Sequence, residues 1–300
     1  MKLGFVVMLA EITQEKHIQP YQEIREFALR AEEVGFDSIW LYDHLLYRPE
    51  GRGTIGIWEC WTMLSALAEV TRRVELGTLV VCNSFRNPAI LAKMATTLDE
   101  VCGGRLILGL GAGWNQPEYE AFGLPFDHRV SRFEEALQII RPLLKERHTN
   151  FEGKYYRAKD CEIRPRGPRP AGPPILVGCG EPRMLRLTAK YADLWNVGYM
   201  STPDTLLPHL EHMRTACQEV GRDPSNLETT VLVALGFPDM IDKLPEFENG
   251  VLTGDSQSLA ETMREYERLG VSHLMFHVVP YGREALEKLA EAVQLYRSHV

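Results

Sequence analysis

The sequence predicts an α/β protein folded as a single (β/α)8 TIM barrel over residues 1–300, with an excursion after the fourth strand at about 150–174. Three observations predict it. Short apolar or β-branched runs alternate with longer amphipathic segments, the pattern of a parallel sheet joined by crossover helices. Eight such runs are present, nearly all followed by a helical pattern. Eight units in 300 residues suit a closed barrel, typically of about 250 residues, better than an open doubly wound sheet.

The elements follow in order. Residues 3–9 carry no charge, as in a strand buried on both faces. Pro20 opens a helix with Ile24, Phe27, Ala28 and Ala31 on one face, and Gly35 stops it. The second run is 37–42, and a helix is expected near Ile57. The third is 74–82; its helix starts after Pro88 and buries Leu91, Met94, Ala95 and Leu98. The fourth is 105–111, with a helix over 130–147 that shows Phe133, Leu137, Ile140 and Leu144 on one side. Residues 150–174, rich in Pro and Arg with no helical face, read as an excursion containing a short hairpin. Then come run 175–179 with helix 183–191, run 194–197 with helix 203–220, and run 227–235 with a long loop to Gly254. Helix 256–269, strand 272–278 and helix 283–297 close the chain.

Composition narrows the function. A net charge of −8 argues against a nucleic-acid partner, which needs clustered Lys and Arg. The opening MKLGFVVMLAE is a poor signal peptide, and no stretch approaches the ~18–20 apolar residues that span a bilayer, so a cytoplasmic protein with no membrane partner is expected. The six cysteines form no C-x-x-C pair and no zinc spacing with His, so no metal is expected. A Rossmann reading would rest on Gly109, Gly111 and Gly113 or on Gly178 and Gly180. Both strings lack the third glycine of the dinucleotide fingerprint.

Barrel chemistry sits on the loops after the strands. There the sequence places Asp43 and His44; Cys82, Asn83 and Ser84; Ala112 to Asn115 with Glu118 beyond; and Gly178, Cys179, Gly180 and Glu181. Imidazole moves protons at neutral pH, so His44 is the candidate acid/base and Asp43 its neighbouring carboxylate. Adjacent strand residues point to opposite faces, however. Glycine turns let backbone approach a ring or a phosphate, but also occur as plain turns. His273 and His277 share a strand face and are read first as core histidines. Trp114 offers either a stacking surface or packing.

Several strings together resemble one family: SIWLYDH (38–44), LGTLVV (76–81), RNP (86–88), ATTLD (95–99) and GGRLILGLGAGWN (103–115). Glu118, Phe122 and Gly123 follow, then FEGKYY (151–156), PPILVG (173–178) and YADLWN (191–196). In order and spacing the chain is similar to the bacterial luciferase-like superfamily of flavin and deazaflavin oxidoreductases, strongly over about 1–200 and loosely beyond.

The resemblance implies a homodimeric (β/α)8 barrel holding coenzyme F420, or alternatively FMN. It implies His44 near the redox carbon, beside Asp43. A non-prolyl cis peptide is implied at the end of strand three, where Leu79, Val80 and Cys82 fall. Ala112, Trp114 and Asn115 fall in the cofactor-contacting loop, and Gly178, Cys179, Gly180 and Glu181 in the phosphate-contacting turn. Two departures stand out: Cys179 interrupts what is often Gly-Gly, and Cys82 replaces a frequent hydroxyl residue. The Asp-His pair and the Gly-x-Gly-Trp-Asn string favour the deazaflavin branch, hence hydride transfer to or from a small organic substrate. The alternatives are an FMN-dependent monooxygenase supplied by a separate reductase, and a non-catalytic flavin-binding relative. Loops 45–56 and 115–129, partly apolar and aromatic, point to an uncharged organic substrate.

Overall fold

The computed structural model describes residues 1–11, 18–51, 53–247 and 249–298. In chain order its main strands are β1 (Lys2–Val6), β2 (Ser38–Leu41), β3 (Glu75–Thr78), β4 (Leu106–Gly111), β5 (Ile175–Gly178), β6 (Leu194–Val197), β7 (Glu228–Gly236) and β8 (Val271–Val279). The helices are α1 (Tyr21–Glu33), α2 (Cys60–Val70), α3 (Pro88–Val101), α4 (Arg129–Lys145), α5 (Pro182–Tyr191), α6 (Pro203–Glu219), α7 (Ser256–Arg268) and α8 (Arg283–Arg297). Hydrogen bonding orders the parallel strands β5-β6-β7-β8-β1-β2-β3-β4, and β4 pairs back to β5. That is the strand order of a closed (β/α)8 barrel.

The chain divides into two compact units. The first is Met1–Met8, Arg25–Trp40 and Gly178–Val300; the second is Leu9–Ile24 and Leu41–Val177. In the first, β1 lies between β8 and β2, with Phe5 opposite Phe276 on one side and Ile39 on the other. β7 joins β8 to β6. Its buried stretch from Thr230 to Gly236 explains the unbroken apolar run in the sequence.

In the second unit β4 pairs with β3 and β5. Gly109 permits the closest approach: a Cβ there would stand 1.8 Å from the Thr78 carbonyl oxygen. Thr78 Oγ1 fills the space instead, donating to the Gly109 carbonyl (2.8 Å) and accepting from its N–H (2.9 Å). α3 starts on Asn87, whose side chain accepts from the N–H groups of Ala89 and Ile90, with Pro88 in the first turn.

Three local features differ from the sequence reading. The expected strand 74–82 is broken: β3 ends at Thr78, the Leu79–Val80 peptide is cis, and Val81–Cys82 resumes pairing against the end of β4. The helix expected near Ile57 starts at Cys60. Ile57 instead bridges Ala10, and Glu59 caps α2 by accepting from the N–H groups of Trp61 and Thr62. The excursion is a hairpin, His148–Glu152 antiparallel to Arg157–Glu162, opening two residues early. A two-residue strand pair, Leu46–Tyr47 with Ile55–Gly56, and a short helix, Gln116–Ala121, are additions.

Candidate active site

The second unit gathers side chains from the ends of three strands. Beyond β2 the chain is pinned by Tyr42, whose hydroxyl accepts from the N–H groups of Leu9 (2.7 Å) and Ala10 (2.8 Å). The next two residues turn to different partners. Asp43 is buried and accepts from Arg86 Nη1 (2.6 Å) and Nη2 (3.1 Å) and from the Cys82 N–H (3.0 Å). Arg86 also donates to Glu59, the cap of α2. Burial pushes the Asp43 carboxyl up from its ordinary range, and the guanidinium opposes that shift. Arg86 itself, flanked by two carboxylates, is held above its usual value against the cost of burial.

His44 has a different carboxylate. Its Nδ1 lies 3.0 and 3.2 Å from the two oxygens of Glu118, which also accept the Leu45 N–H at 2.9 Å. The Glu118 side chain is 1% exposed and that of His44 13%. An ionised carboxylate accepts and does not donate, so Nδ1–H faces Glu118; in the neutral imidazole Nε2 then presents the lone pair. Aromatic rings surround the imidazole: Tyr47 at 4.5 Å, Trp114 edge-on at 5.4 Å and Tyr42 at 6.1 Å between centroids. Trp114 is 67% exposed.

The loop after β4 is held from behind. Tyr119 O–H donates to the Ala112 carbonyl (3.1 Å) and contacts Cys82 Sγ at 2.9 Å. Burial pushes the Cys82 thiol up to about 12, so it stays a thiol. Gly113 has φ of +79°, and a Cβ there would meet the Tyr119 hydroxyl at 1.9 Å. Asn115 Nδ2 donates to the Leu46 carbonyl (2.9 Å), tying this loop to the one after β2. Asn83, buried beside Cys82, leaves Oδ1 without a hydrogen-bond partner among the described residues.

In the first unit the turn Gly178 to Glu181 opens α5. Glu181 is the N-cap but makes no side-chain cap bond, and a Cβ on Gly180 would meet nothing within 4 Å. Cys179 faces Thr188 Oγ1 at 3.1 Å; the Thr188 proton goes to the Met184 carbonyl, so the thiol donates. Desolvation raises that thiol to about 12. The Cys179 carbonyl accepts from Trp195 Nε1. His273 is a buried core residue bonded to Ser38 Oγ (2.6 Å). His277 lies 3.3 Å from the Tyr199 hydroxyl, and burial lowers it to about 4. Among the described residues no group of His, Cys, Asp and Glu is arranged to hold a metal ion.

The sequence profile of the luciferase-like monooxygenase family matches residues 1–239. The chain belongs to that family. It is an oxidoreductase. An F420-dependent glucose-6-phosphate dehydrogenase of Amycolatopsis mediterranei is 31% identical over 91% of this chain and 78% of its own length. A phthiodiolone/phenolphthiodiolone dimycocerosates ketoreductase of Mycobacterium bovis is 33% identical over 76% of this chain and 63% of its own length. Among solved structures, an F420-dependent secondary alcohol dehydrogenase with an F420-acetone adduct superposes with a TM-score of 0.81. It has 21% identity and covers 99% of both chains. An F420-dependent tetrahydromethanopterin reductase of Methanopyrus kandleri gives 0.78 at 19% identity, again over 99% of both. At these identities the structures establish the fold.

The structure thus brings Asp43, His44, Cys82, Ala112, Trp114 and Asn115 together within the second unit, with the cis bond at Leu79–Val80. Tyr119 and the roles of Arg86 and Glu118 are absent from the sequence reading, which has Arg86 only within the RNP string. Arg86 had a signal, since an Arg in an apolar neighbourhood needs carboxylates. Glu118 had one too, as an acidic residue in the first turn of a helix behind a glycine-rich loop.

Proposed function

We propose that the chain is an F420-dependent oxidoreductase transferring hydride to or from a small organic substrate, with His44 as acid/base. The observation that carries the proton role is the contact between His44 Nδ1 and the buried Glu118. It fixes one tautomer and leaves Nε2 as the site that takes a proton from a substrate hydroxyl or returns one to a carbonyl oxygen.

The residues fit the coenzyme. Asn83 Oδ1 is a buried acceptor without a partner among the described residues, and a flavin-like ring N–H would supply the donor. Gly113 keeps the backbone beside Trp114 and Asn115 open, and Tyr119 holds Ala112 in place. We assign Leu79, Val80, Cys82, Ala112, Trp114 and Asn115 to the coenzyme. The turn Gly178–Cys179–Gly180–Glu181, at a helix start with no side-chain cap, suits an anion such as the coenzyme phosphate. When bound, F420 supplies a two-electron hydride carrier, and the protein supplies orientation and the proton path. Asp43 supports this site without touching the reacting atoms: it holds Arg86 and the Cys82 N–H.

Cofactor-free protein is to be titrated with F420 and, separately, FMN, following tryptophan fluorescence. Preference for F420 is expected. Preference for FMN moves the chain to the monooxygenase branch. In the F420-loaded protein His44→Ala is expected to lower kcat by about 10²–10⁴-fold with coenzyme affinity retained. The homodimer is part of this proposal, and light scattering at the mass of one chain would count against it. No described helix is long and apolar enough to cross a membrane.

A further inference from the structure

Arg129 opens α4, and its Nη1 is shut off from water with no hydrogen-bond partner among the described residues. Its guanidinium lies over the Phe126 ring, 3.8 Å from the centroid. That contact uses the face of the cation and leaves the N–H edge free. Phe126 in turn packs edge-on against Tyr119 at 5.1 Å, and the Arg129 charge reaches the Tyr119 phenol.

A second unpaired group lies on the other side of Tyr119. The short turn Asn83–Phe85 follows Cys82, and α4 packs directly against it. Phe85 meets the Tyr119 ring at 5.5 Å. Asn83 is 1% exposed; its Nδ2 donates to the Tyr156 hydroxyl, and its Oδ1 has no partner among the described residues. All these residues belong to the second unit. The Tyr119 hydroxyl between them donates to the Ala112 carbonyl and touches Cys82 Sγ, two residues assigned above to the coenzyme.

An unpaired guanidinium N–H and an unpaired amide oxygen are each destabilising when sealed from water. Together they are one donor and one acceptor. The edge of a deazaflavin ring offers the complement, a pyrimidinedione N–H flanked by carbonyl oxygens. The two protein groups differ in charge. Asn83 is neutral and serves either redox form of the ring. Arg129 is a fixed cation, and hydride uptake leaves negative charge on that same edge of the ring.

We infer that Asn83 and Arg129 read the pyrimidinedione edge of the coenzyme, and that Arg129 makes the site prefer the reduced form. This rests on the F420 reading and deepens it, since a site that prefers reduced coenzyme draws hydride from the substrate to the ring. Arg129 is then the residue that sets the potential of the bound coenzyme, and His44 Nε2 takes the hydroxyl proton.

The test titrates coenzyme-free protein, without oxygen, with F420 and with chemically reduced F420, following tryptophan fluorescence. The parent is expected to bind the reduced form at least about tenfold more tightly, equivalent to raising the two-electron potential by about 30 mV. Arg129→Met is expected to lose about tenfold for reduced F420 and less than about threefold for the oxidised form. Arg129→Lys, which keeps the charge without the planar fork, is expected to recover part of that difference. Asn83→Leu is expected to weaken both forms alike, by about fivefold for one neutral hydrogen bond. The urea midpoint of coenzyme-free Arg129→Met should not fall, because no ion pair is lost. Equal affinity of the parent for the two forms overturns the inference while F420 binding stands. So does an Arg129→Met variant that loses both forms equally, or unfolds at lower urea with the parent's preference intact. A parent that binds F420 in neither form overturns the F420 reading as well.

Discussion

Glu118 and Asp43 are both buried carboxylates near His44, yet their contacts give them opposite tasks. Asp43 answers to Arg86 and to a backbone N–H; Glu118 answers to the imidazole. Glu118→Gln removes the acceptor that selects the Nδ1–H tautomer, because an amide can present a donor or an acceptor there. We expect kcat to fall about 10–100-fold, by analogy with the loss of the hydrogen bond that orients a metal-ligating His. F420 affinity should be unchanged, the pH dependence of kcat should shift, and Glu118→Asp should recover part of the rate. A pH profile identical to that of the parent would show that Glu118 is only a packing group. His44 was legible in the sequence because its side chain has one obvious chemistry. Its partner was not, because the two stand 74 positions apart and only the fold makes them neighbours. The neighbour in sequence, Asp43, was the natural candidate, but beyond the end of β2 it turns to Arg86 and the Cys82 N–H instead.

At the scale of elements, Arg86 is the fastener. Through Asp43, Glu59 and the Cys82 N–H bonded to Asp43, it ties the end of β2, the start of α2 and the stretch after β3. Arg86→Leu leaves the Asp43 charge buried without its partner, a loss that typically costs about 3–5 kcal/mol. Urea unfolding should show a midpoint lowered accordingly, and adding Asp43→Asn to Arg86→Leu should recover part of it. A double variant no more stable than Arg86→Leu would refute the ion-pair account. Gly113→Ala tests the loop after β4. Its Cβ collides with the Tyr119 hydroxyl and lies 2.6 Å from Cys82 Sγ at a positive φ. F420 affinity should drop at least about tenfold, and Tyr119→Phe should relieve part of the steric conflict but none of the backbone cost. Periodicity made the helices and most strands readable, and α8 coincides with its expected bounds. The break in the third strand was invisible, because an apolar run looks the same whether its peptides are trans or cis. The start of α2 was misplaced for a related reason: Ile57 has the hydrophobicity of a helix face but pairs with Ala10.

For the whole molecule, alternation of strand and helix was enough to predict the barrel, since each buried parallel strand demands a crossover. What it could not supply was the polar wiring inside that core, and this wiring sets how stability responds to acid. His273 on β8 sits 2% exposed, its Nε2 hydrogen-bonded at 2.6 Å to Ser38 Oγ, which accepts from Trp40 Nε1 at 2.6 Å. Desolvation, aided by the charges of Lys2 and the N-terminus, lowers His273 from 6.5 to about 3. His277 is lowered to about 4 by desolvation alone. Both are therefore neutral in the folded state at pH 7. Because the folded values lie below the unfolded one, the unfolded chain binds more protons as pH falls through 6.5. The stability they confer is fully present above that value and is lost progressively toward pH 3–4. Carboxylates held low in the fold, such as Asp223, Asp255 and Glu287, act in the same direction, but only once pH approaches their ordinary values of 3.8 and 4.5. The interval from about pH 6.5 to 5 thus isolates the histidines. There the urea midpoint should fall steadily in the parent protein and less steeply in His273→Phe, whatever that variant's stability at pH 7. A slope equal to the parent's would mean that His273 is already open to protons in the folded state, and the buried Ser38–His273 contact would have to be abandoned.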